Sequence, residues 1–229
     1  LFKNLGNAMF EDVTMQTAAA VGSSAHVKWG SGFADFDNDG HPDLLIGCGH
    51  LGEDLNEAAD RTTSYKVRPV LLRNGGSGRF VDVSDVSGDG MNARLVARGV
   101  ALEDLDNDGR VDAVILNSRR GPTVLRNESA TGHHWIQIRL RGEETNPDGV
   151  GARVTVKAGD LQQTAEVHSG RSYQSHFGSR LHFGLGKRLR VDRTEVRWIG
   201  GGTDVVEDIE VDQCLTIREG VSSQRNAAK

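Results

Sequence analysis

A pattern of about seventy residues runs through this chain twice, and repetition on that scale restricts the fold more than any single residue does. The stretch LFKNLGNAMFEDVT at Leu1 to Thr14 returns as LLRNGGSGRFVDVS at Leu71 to Ser84, and a third opening, VLRNES, stands at Val124 to Ser129. Each full copy continues through a variable stretch and a glycine-containing apolar segment into an acidic loop: DFDNDGHPD at Asp35 to Asp43, then DLDNDGRVD at Asp104 to Asp112. Within a copy the order reads strand (LFKN), turn, strand (FEDVT), linker, strand (GFADF), acidic loop, strand (DLLIG), and GVALEDL and DAVILN flank the second loop. Several short antiparallel strands per unit are the pattern of a β-propeller blade. The chain carries about two such units, and a closed propeller needs roughly four to eight. Between them, Leu51 to Lys66 is polar and reads as a long loop with a helical turn over Glu53 to Asp60.

Composition supports an all-β reading. Among 229 residues there are 29 glycines, 5% aromatics and 37% hydrophobic residues, with short apolar runs repeatedly cut by Gly, Asn and Asp. From about Ala130 the acidic loops stop. WIQIRLRG alternates Ile136, Ile138 and Leu140 against Trp135, Gln137 and Arg139, as a half-buried strand does. ARVTVKAG, QTAEVHSG, RLHFGLG, TEVRWIG and CLTIREG follow as further strand candidates. The division is therefore blade repeats over residues 1–130, a second, small sandwich-like β-domain over 131–220, and a disordered tail over 221–229.

The formal net charge is −5, and the eight aspartates of the two loops carry more than all of it. The acidity is thus local, and nothing in the remainder favours a nucleic-acid partner. No apolar stretch approaches the roughly 18 residues of a membrane span. Cys48 and Cys214, each beside an apolar run, read as buried fillers rather than a disulfide. The first residue, Leu1, already lies in a strand-like run, so an export signal is expected upstream.

Alternating carboxylates with glycine at position six can wrap oxygens around one hard cation, and calcium takes about six to eight oxygen ligands. The side-chain ligands expected are Asp35, Asp37, Asp39 and Asp43 in the first loop and Asp104, Asp106, Asp108 and Asp112 in the second, joined by the backbone carbonyls of His41 and Arg110. Gly40 and Gly109 supply the backbone freedom for the reversal. An EF-hand would need a glutamate at position twelve, where Ile46 and Ile115 stand, so the loop joins strands and its last ligand falls at position nine. Magnesium is the alternative hard cation, though it prefers a stricter octahedron and retained water. Solvated Asp/Asn/Gly turns are the plain alternative, but recurrence at equivalent places of a repeat favours two Ca2+ sites.

Other constellations carry less. His168, His176 and His182 have no partners at zinc-like spacing, and His133 and His134 are adjacent, on opposite strand faces. Ser172 and Ser175 lie near His176 without a nucleophile elbow. GLGK at Gly184 to Lys187 lacks the rest of a phosphate loop and reads as a turn, and KRLRVDR at Lys187 to Arg193 reads as a solvated strand end. Asn127-Glu128-Ser129 is a glycosylation sequon. Carboxylates occupied by calcium are poor proton donors, so no catalytic residues are assigned.

The FxDV(S/T) strands and DxDxDGxxD loops resemble FG-GAP or VCBS-type repeats, the calcium-binding blades of integrin α-chains. The region from about His133 to Gly220 resembles the ASPIC/UnbV domain in VGARVTVKAG (Val150 to Gly159), SGRSYQSHFGSRLHFGLG (Ser169 to Gly186), EVRW (Glu195 to Trp198) and CLTIREG (Cys214 to Gly220). The combination is similar to cartilage acidic protein-like sequences. It departs from the pattern at Cys48, where Asn is usual, and at Ile199-Gly200-Gly201, where Pro-Ser-Gly is usual. The resemblance implies a non-catalytic, calcium-binding, secreted or periplasmic module of adhesion type, whose partner is an extracellular protein or glycan. Open blade edges would also permit self-association. The alternatives are a lectin-like module, with exposed Trp29, Tyr65, Trp135, Tyr173 or Trp198 stacking on sugars, and an accessory region of a secreted enzyme using the loop from Arg171 to Arg180.

Overall fold

The computed structural model describes residues 1–52 and 63–220. The helical turn expected over Glu53 to Asp60 and the tail expected from Val221 to Lys229 lie outside the described residues. Within them the chain is nearly all β, in five open sheets with no closed barrel.

Nine strands precede the change of pattern: β1 (Phe2–Gly6), β2 (Met9–Asp12), β3 (Lys28–Ala34), β4 (Asp43–Cys48), β5 (Val70–Asn74), β6 (Phe80–Asp82), β7 (Ala97–Glu103), β8 (Asp112–Asn117) and β9 (Thr123–Leu125). They form a complete sheet β3-β4-β5-β6, a three-stranded sheet β7-β8-β9 and an isolated hairpin β1-β2. The sheets are therefore out of phase with the sequence repeat. LLRN and FVD do not open a sheet; as β5 and β6 they complete the one begun by β3 and β4. The reason lies in β4, whose six residues are all buried and which needs a partner along both edges. It pairs with β3 on one side and, across the long linker, with β5 on the other, through Leu44↔Leu72, Leu45↔Leu71 and Ile46↔Val70. β8 and β9 repeat this with Ala113↔Leu125, Val114↔Val124 and Ile115↔Thr123.

The hairpin β1-β2 shares three consecutive pairs with β5-β6 and runs on past a bulge to Gly6↔Met9. Phe2↔Asp12, Lys3↔Glu11 and Asn4↔Phe10 match Leu72↔Asp82, Arg73↔Val81 and Asn74↔Phe80. Asp12 accepts from Thr14 Oγ1 at 2.6 Å, as Asp82 accepts from Ser84 Oγ at 2.5 Å.

The remaining strands are β10 (His134–Arg141), β11 (Arg153–Ala158), β12 (Leu161–Glu166), β13 (Arg180–Gly186), β14 (Arg190–Arg197), β15 (Thr203–Glu210) and β16 (Gln213–Arg218). They build two sheets, β13-β10-β16 and β12-β11-β14-β15, which enclose one core of Ile136, Ile138, Leu140, Val154, Phe183 and Val196, among others. β10 and β16 run parallel, with Ile138↔Leu215 at the centre. β10 is not half-exposed as its alternation predicts: Gln137 is only 1% exposed, because the second face of this strand lies on the blades.

Three other expectations change. Cys214 is exposed, pointing out of β16, whereas Cys48 is buried as expected. The turn expected over GLGK shifts: Gly184 to Gly186 end β13, with Gly184 against the first acidic loop, and the reversal falls on Leu185 to Arg188, where the Arg188 amide donates to the Leu185 carbonyl at 3.3 Å and Gly186 takes φ 61°. Trp198 is buried and donates from Nε1 to Asp204 Oδ2 at 2.9 Å, so it offers no face to a sugar.

Candidate metal centre

Each acidic loop links the first two strands of its sheet, and each closes on itself by the same bonds. In the first, Asp35 Oδ1 accepts from the Asp39 amide (3.0 Å) and Oδ2 from the Gly40 amide (2.8 Å); in the second, Asp104 accepts from Asp108 (3.1 Å) and Gly109 (2.9 Å). The reversal is made by Asn38 and Gly40 at φ 56° and 99°, and by Asn107 and Gly109 at φ 60° and 83°. These are left-handed values, where Asn and Gly carry the least strain. The outcome is a carboxylate triad at each loop: oxygens of Asp35, Asp37 and Asp39, and of Asp104, Asp106 and Asp108, come within 4.8 Å of one another.

Asp43 and Asp112 stand outside these triads. Asp43 accepts from the Phe36 amide (3.1 Å) and the Asn74 amide (2.8 Å), and Asp112 accepts from Leu105 (3.0 Å) and Asn127 (2.8 Å). The ninth-position aspartate thus ties its loop to the third strand of the sheet. His41 and Arg110 are held by their amides, which donate to Asp39 Oδ1 and Asp108 Oδ1 at 2.8 and 2.9 Å.

The electrostatics call for positive charge. Asp35 is buried, and desolvation pushes its pKa up to about 8 against the pull of the Gly40 amide, with Asp39, Asp43 and Asp37 adding repulsion. Burial likewise pushes Asp43 up to about 7. Part of the counter-charge comes from the repeat itself. Arg73 Nε reaches Asp37 Oδ2 at 3.0 Å, and its counterpart Arg126 reaches Asp106 Oδ2 at 2.8 Å. Both guanidiniums are more than half exposed, so they screen the triads weakly. An all-oxygen donor set with a buried, desolvated carboxylate suits a hard cation such as calcium and offers nothing to a soft one.

Sequence reasoning missed the cover over these loops, which comes from the second domain. Gln137 Nε2 donates to Asp104 Oδ2 at 2.6 Å and lies 3.3 Å from His182 Nδ1, while His182 Nε2 lies 2.7 Å from Asn38 Oδ1. Asn38 Nδ2 in turn donates to the Gly109 carbonyl at 2.9 Å, so one chain of bonds joins both loops. Burial pushes His182 down to about 4, which leaves its ring neutral and able to donate from one nitrogen and accept at the other. Arg180 bonds the Asp104 carbonyl, Asn107 Oδ1 and Glu103 Oε1. Thr131 Oγ1 and His133 Nδ1 both engage the Asp37 carbonyl. Gly184 lies so close to Asp35 that any Cβ would overlap the carboxylate, and Gly109 lies flat against the Trp135 indole in the same way. Spacing could not reveal these contacts; the one signal was a glutamine inside an apolar strand.

The other candidates are accounted for. Arg188, Arg190 and Arg193 of the basic run pair with Asp160, Asp208 and Glu207. The Asn127 side-chain nitrogen, where a glycan would attach, donates to the Phe36 carbonyl at 2.8 Å. Trp29 is covered by Arg98, 4.5 Å from its ring, and by Tyr173 at 4.9 Å between centroids, and Trp135 and Tyr65 are half-buried.

Open antiparallel sheets bearing paired acidic loops, capped by a β-sandwich, define an all-β repeat module with a C-terminal cap. Residues 142–224 match the family described as ASPIC and UnbV, so the cap is an ASPIC/UnbV domain. The match starts one strand later than the sheet does, since β10 is the central strand of β13-β10-β16. No curated protein matches the chain.

Proposed function

We propose that this chain is a non-catalytic binding module of FG-GAP/VCBS type, acting outside the cell or in the periplasm, in which two calcium ions hold the acidic loops in shape. One observation carries the reading: two loops of the same bonding pattern each converge three carboxylates, with Asp35 and Asp104 buried under the second domain. Burying like charges together is costly unless a cation joins them. Asp35, Asp37 and Asp39 would hold one ion and Asp104, Asp106 and Asp108 the other, with Asp43 and Asp112 bracing each loop. A bound ion supplies only positive charge and coordination here. The chain's own residues then fix the turn, the strand register and the seat of the ASPIC/UnbV domain.

The compartment follows from affinity. Loops of this class in extracellular modules bind calcium at about 10⁻⁴–10⁻³ M, a range met outside the cytosol. No helix among the described residues is long and apolar enough to cross a membrane. The partner is an extracellular protein or glycan rather than nucleic acid, and the edge of β1, which pairs with no second strand among the described residues, is a route to self-association. Thermal unfolding with 10 mM calcium and with excess chelator tests the reading. A higher midpoint in calcium supports it, and equal midpoints return both loops to solvated turns.

A further inference from the structure

One position in the blade repeat occurs three times and is filled twice. LLRN, in β5, and VLRN, which includes the end of β9, each lie against the strand that follows an acidic loop, β4 in one sheet and β8 in the other. The filled copies are met in the same way. The residue at the second place, Leu72 or Leu125, pairs with the first residue after the loop, Leu44 or Ala113. The arginine at the third place, Arg73 or Arg126, reaches the loop's second aspartate, Asp37 or Asp106, at 3.0 and 2.8 Å. The asparagine amide at the fourth donates to the loop's last aspartate, Asp43 or Asp112, at 2.8 Å in both.

LFKN in β1 is the third copy, and it offers the same series in Phe2, Lys3 and Asn4. The local turn is already made, because Asn4 Oδ1 accepts from the Gly6 amide at 2.8 Å as Asn74 Oδ1 accepts from the Gly76 amide at 3.1 Å. The far edge of the strand pairs with nothing among the described residues. Phe2 is exposed together with Leu5, Met9, Phe10 and Met15, an apolar patch gathered on and beside one two-stranded hairpin. An unpaired strand edge beside such a patch is the signature of a surface that meets another chain. Lys3, also exposed, makes no ion pair among the described residues.

We propose that the edge of β1 docks a partner polypeptide through a segment of this same repeat type: two strands joined by an acidic loop. The apolar strand after the loop adds to β1 and covers Phe2, the second loop aspartate meets Lys3, and the last one accepts the Asn4 amide. An unrelated strand could bond the backbone of β1, but it would bring no carboxylates to Lys3 and Asn4. An intact second copy of this chain does not supply the segment, because β4 and β8 are already paired along both edges. The inference rests on the binding-module reading and gives the partner of that edge its chemistry.

The test adds a synthetic peptide of residues 28–48, which carries β3, the first acidic loop and β4, to the isotope-labelled full chain in 10 mM calcium and follows binding by NMR. A scrambled peptide of the same composition is the control. Saturable shifts over Phe2 to Gly6, at least tenfold tighter than with the scrambled peptide and weakened at least fivefold by Lys3→Glu, support the proposal. Binding no tighter than the control, shifts confined to β5, or an unchanged Lys3→Glu overturns it. Phe2→Asp, at a second exposed position, must weaken the peptide as well. Sedimentation of the full chain alone examines the competing occupant: a concentration-dependent dimer that Phe2→Asp abolishes assigns the edge to a second copy and overturns the proposal. Thermal midpoints in calcium and in chelator, taken on the same sample, separate the two readings. A calcium-raised midpoint without peptide binding overturns the docking site alone. Peptide binding without a calcium-raised midpoint overturns the metal reading and leaves the docking site.

Discussion

The hairpins β1-β2 and β5-β6 are related in sequence and pair in the same register, yet one is exposed and the other forms half of a partly buried sheet. Phe2 and Phe10 are 67% and 62% exposed, while Leu72, the counterpart of Phe2, is fully buried and Phe80, that of Phe10, is half-buried. The difference is β4. Against β5 it places Leu44, Leu45 and Ile46, and its leading aspartate accepts the Asn74 amide. β1 has no such strand on its edge among the described residues, so Asn4 meets no loop aspartate there. A repeat unit therefore dictates its own hairpin, and a neighbouring strand decides whether that hairpin belongs to a core.

The sharpest way to break this comparison is to truncate both members. Leu72→Ala should cost about 2–5 kcal/mol, as expected for an enclosed leucine, whereas Phe2→Ala should change stability by no more than about 0.5 kcal/mol. Urea unfolding of the two variants reads the contrast directly, and similar losses would mean that β1 is packed after all.

Metal removal comes next in size and acts only on the sheets that own acidic loops. At 10 mM calcium and the affinity expected of such loops, each proposed site should contribute about 1.4–2.7 kcal/mol. Asp37→Asn and Asp106→Asn should each remove part of that gain while leaving the chelated protein nearly unaffected. If either variant keeps the full calcium shift, its loop is not a site.

The metal-free protein should also show an unusual dependence on pH. Asp35 and Asp43 have folded pKa values raised to about 8 and about 7, so the folded chain keeps protons that the unfolded chain has lost. Their favourable contribution is present below the ordinary carboxylate range and is lost as pH climbs towards 8. In chelator, the urea midpoint should be lower at pH 8 than at pH 5.5, and a flat or rising midpoint would show that the two carboxylates ionise freely.

The smallest effect concerns the cation that the repeat carries itself. Arg73 is more than half exposed, so Arg73→Ala should cost under about 1 kcal/mol, and Lys3→Ala, its counterpart in β1, nothing measurable. Because Arg73 competes for Asp37 and Asp39, its loss should tighten calcium binding in a titration. Weaker binding would make Arg73 a support of the loop rather than a stand-in for the ion.

Much of the loop geometry was legible in the sequence. The spacing of the aspartates predicts the loop, and the glycine at position six and the asparagine at position four take the left-handed values that the turn demands. All-β architecture was equally plain, since period-two alternation and turn residues act over a few neighbours. Three things were not legible. The sheets are out of phase with the repeat because β4 pairs across a long linker. Asp43 and Asp112 turn to backbone amides instead of joining the triads. Gln137, His182 and Gly184 meet loops some 30 to 150 residues earlier in the chain.

What the sequence determined by itself is therefore local: strand, turn, acidic loop and hairpin, each specified by residues within hydrogen-bonding reach along the chain. Tertiary structure alone decided which hairpin is buried, which carboxylates lose water and which domain seals the loops. Those outcomes depend on burial and on amides and side chains brought from distant strands. Desolvation belongs to the assembled molecule, and a carboxylate in a nine-residue string has the same neighbours in sequence whether or not a glycine from β13 comes to lie against it.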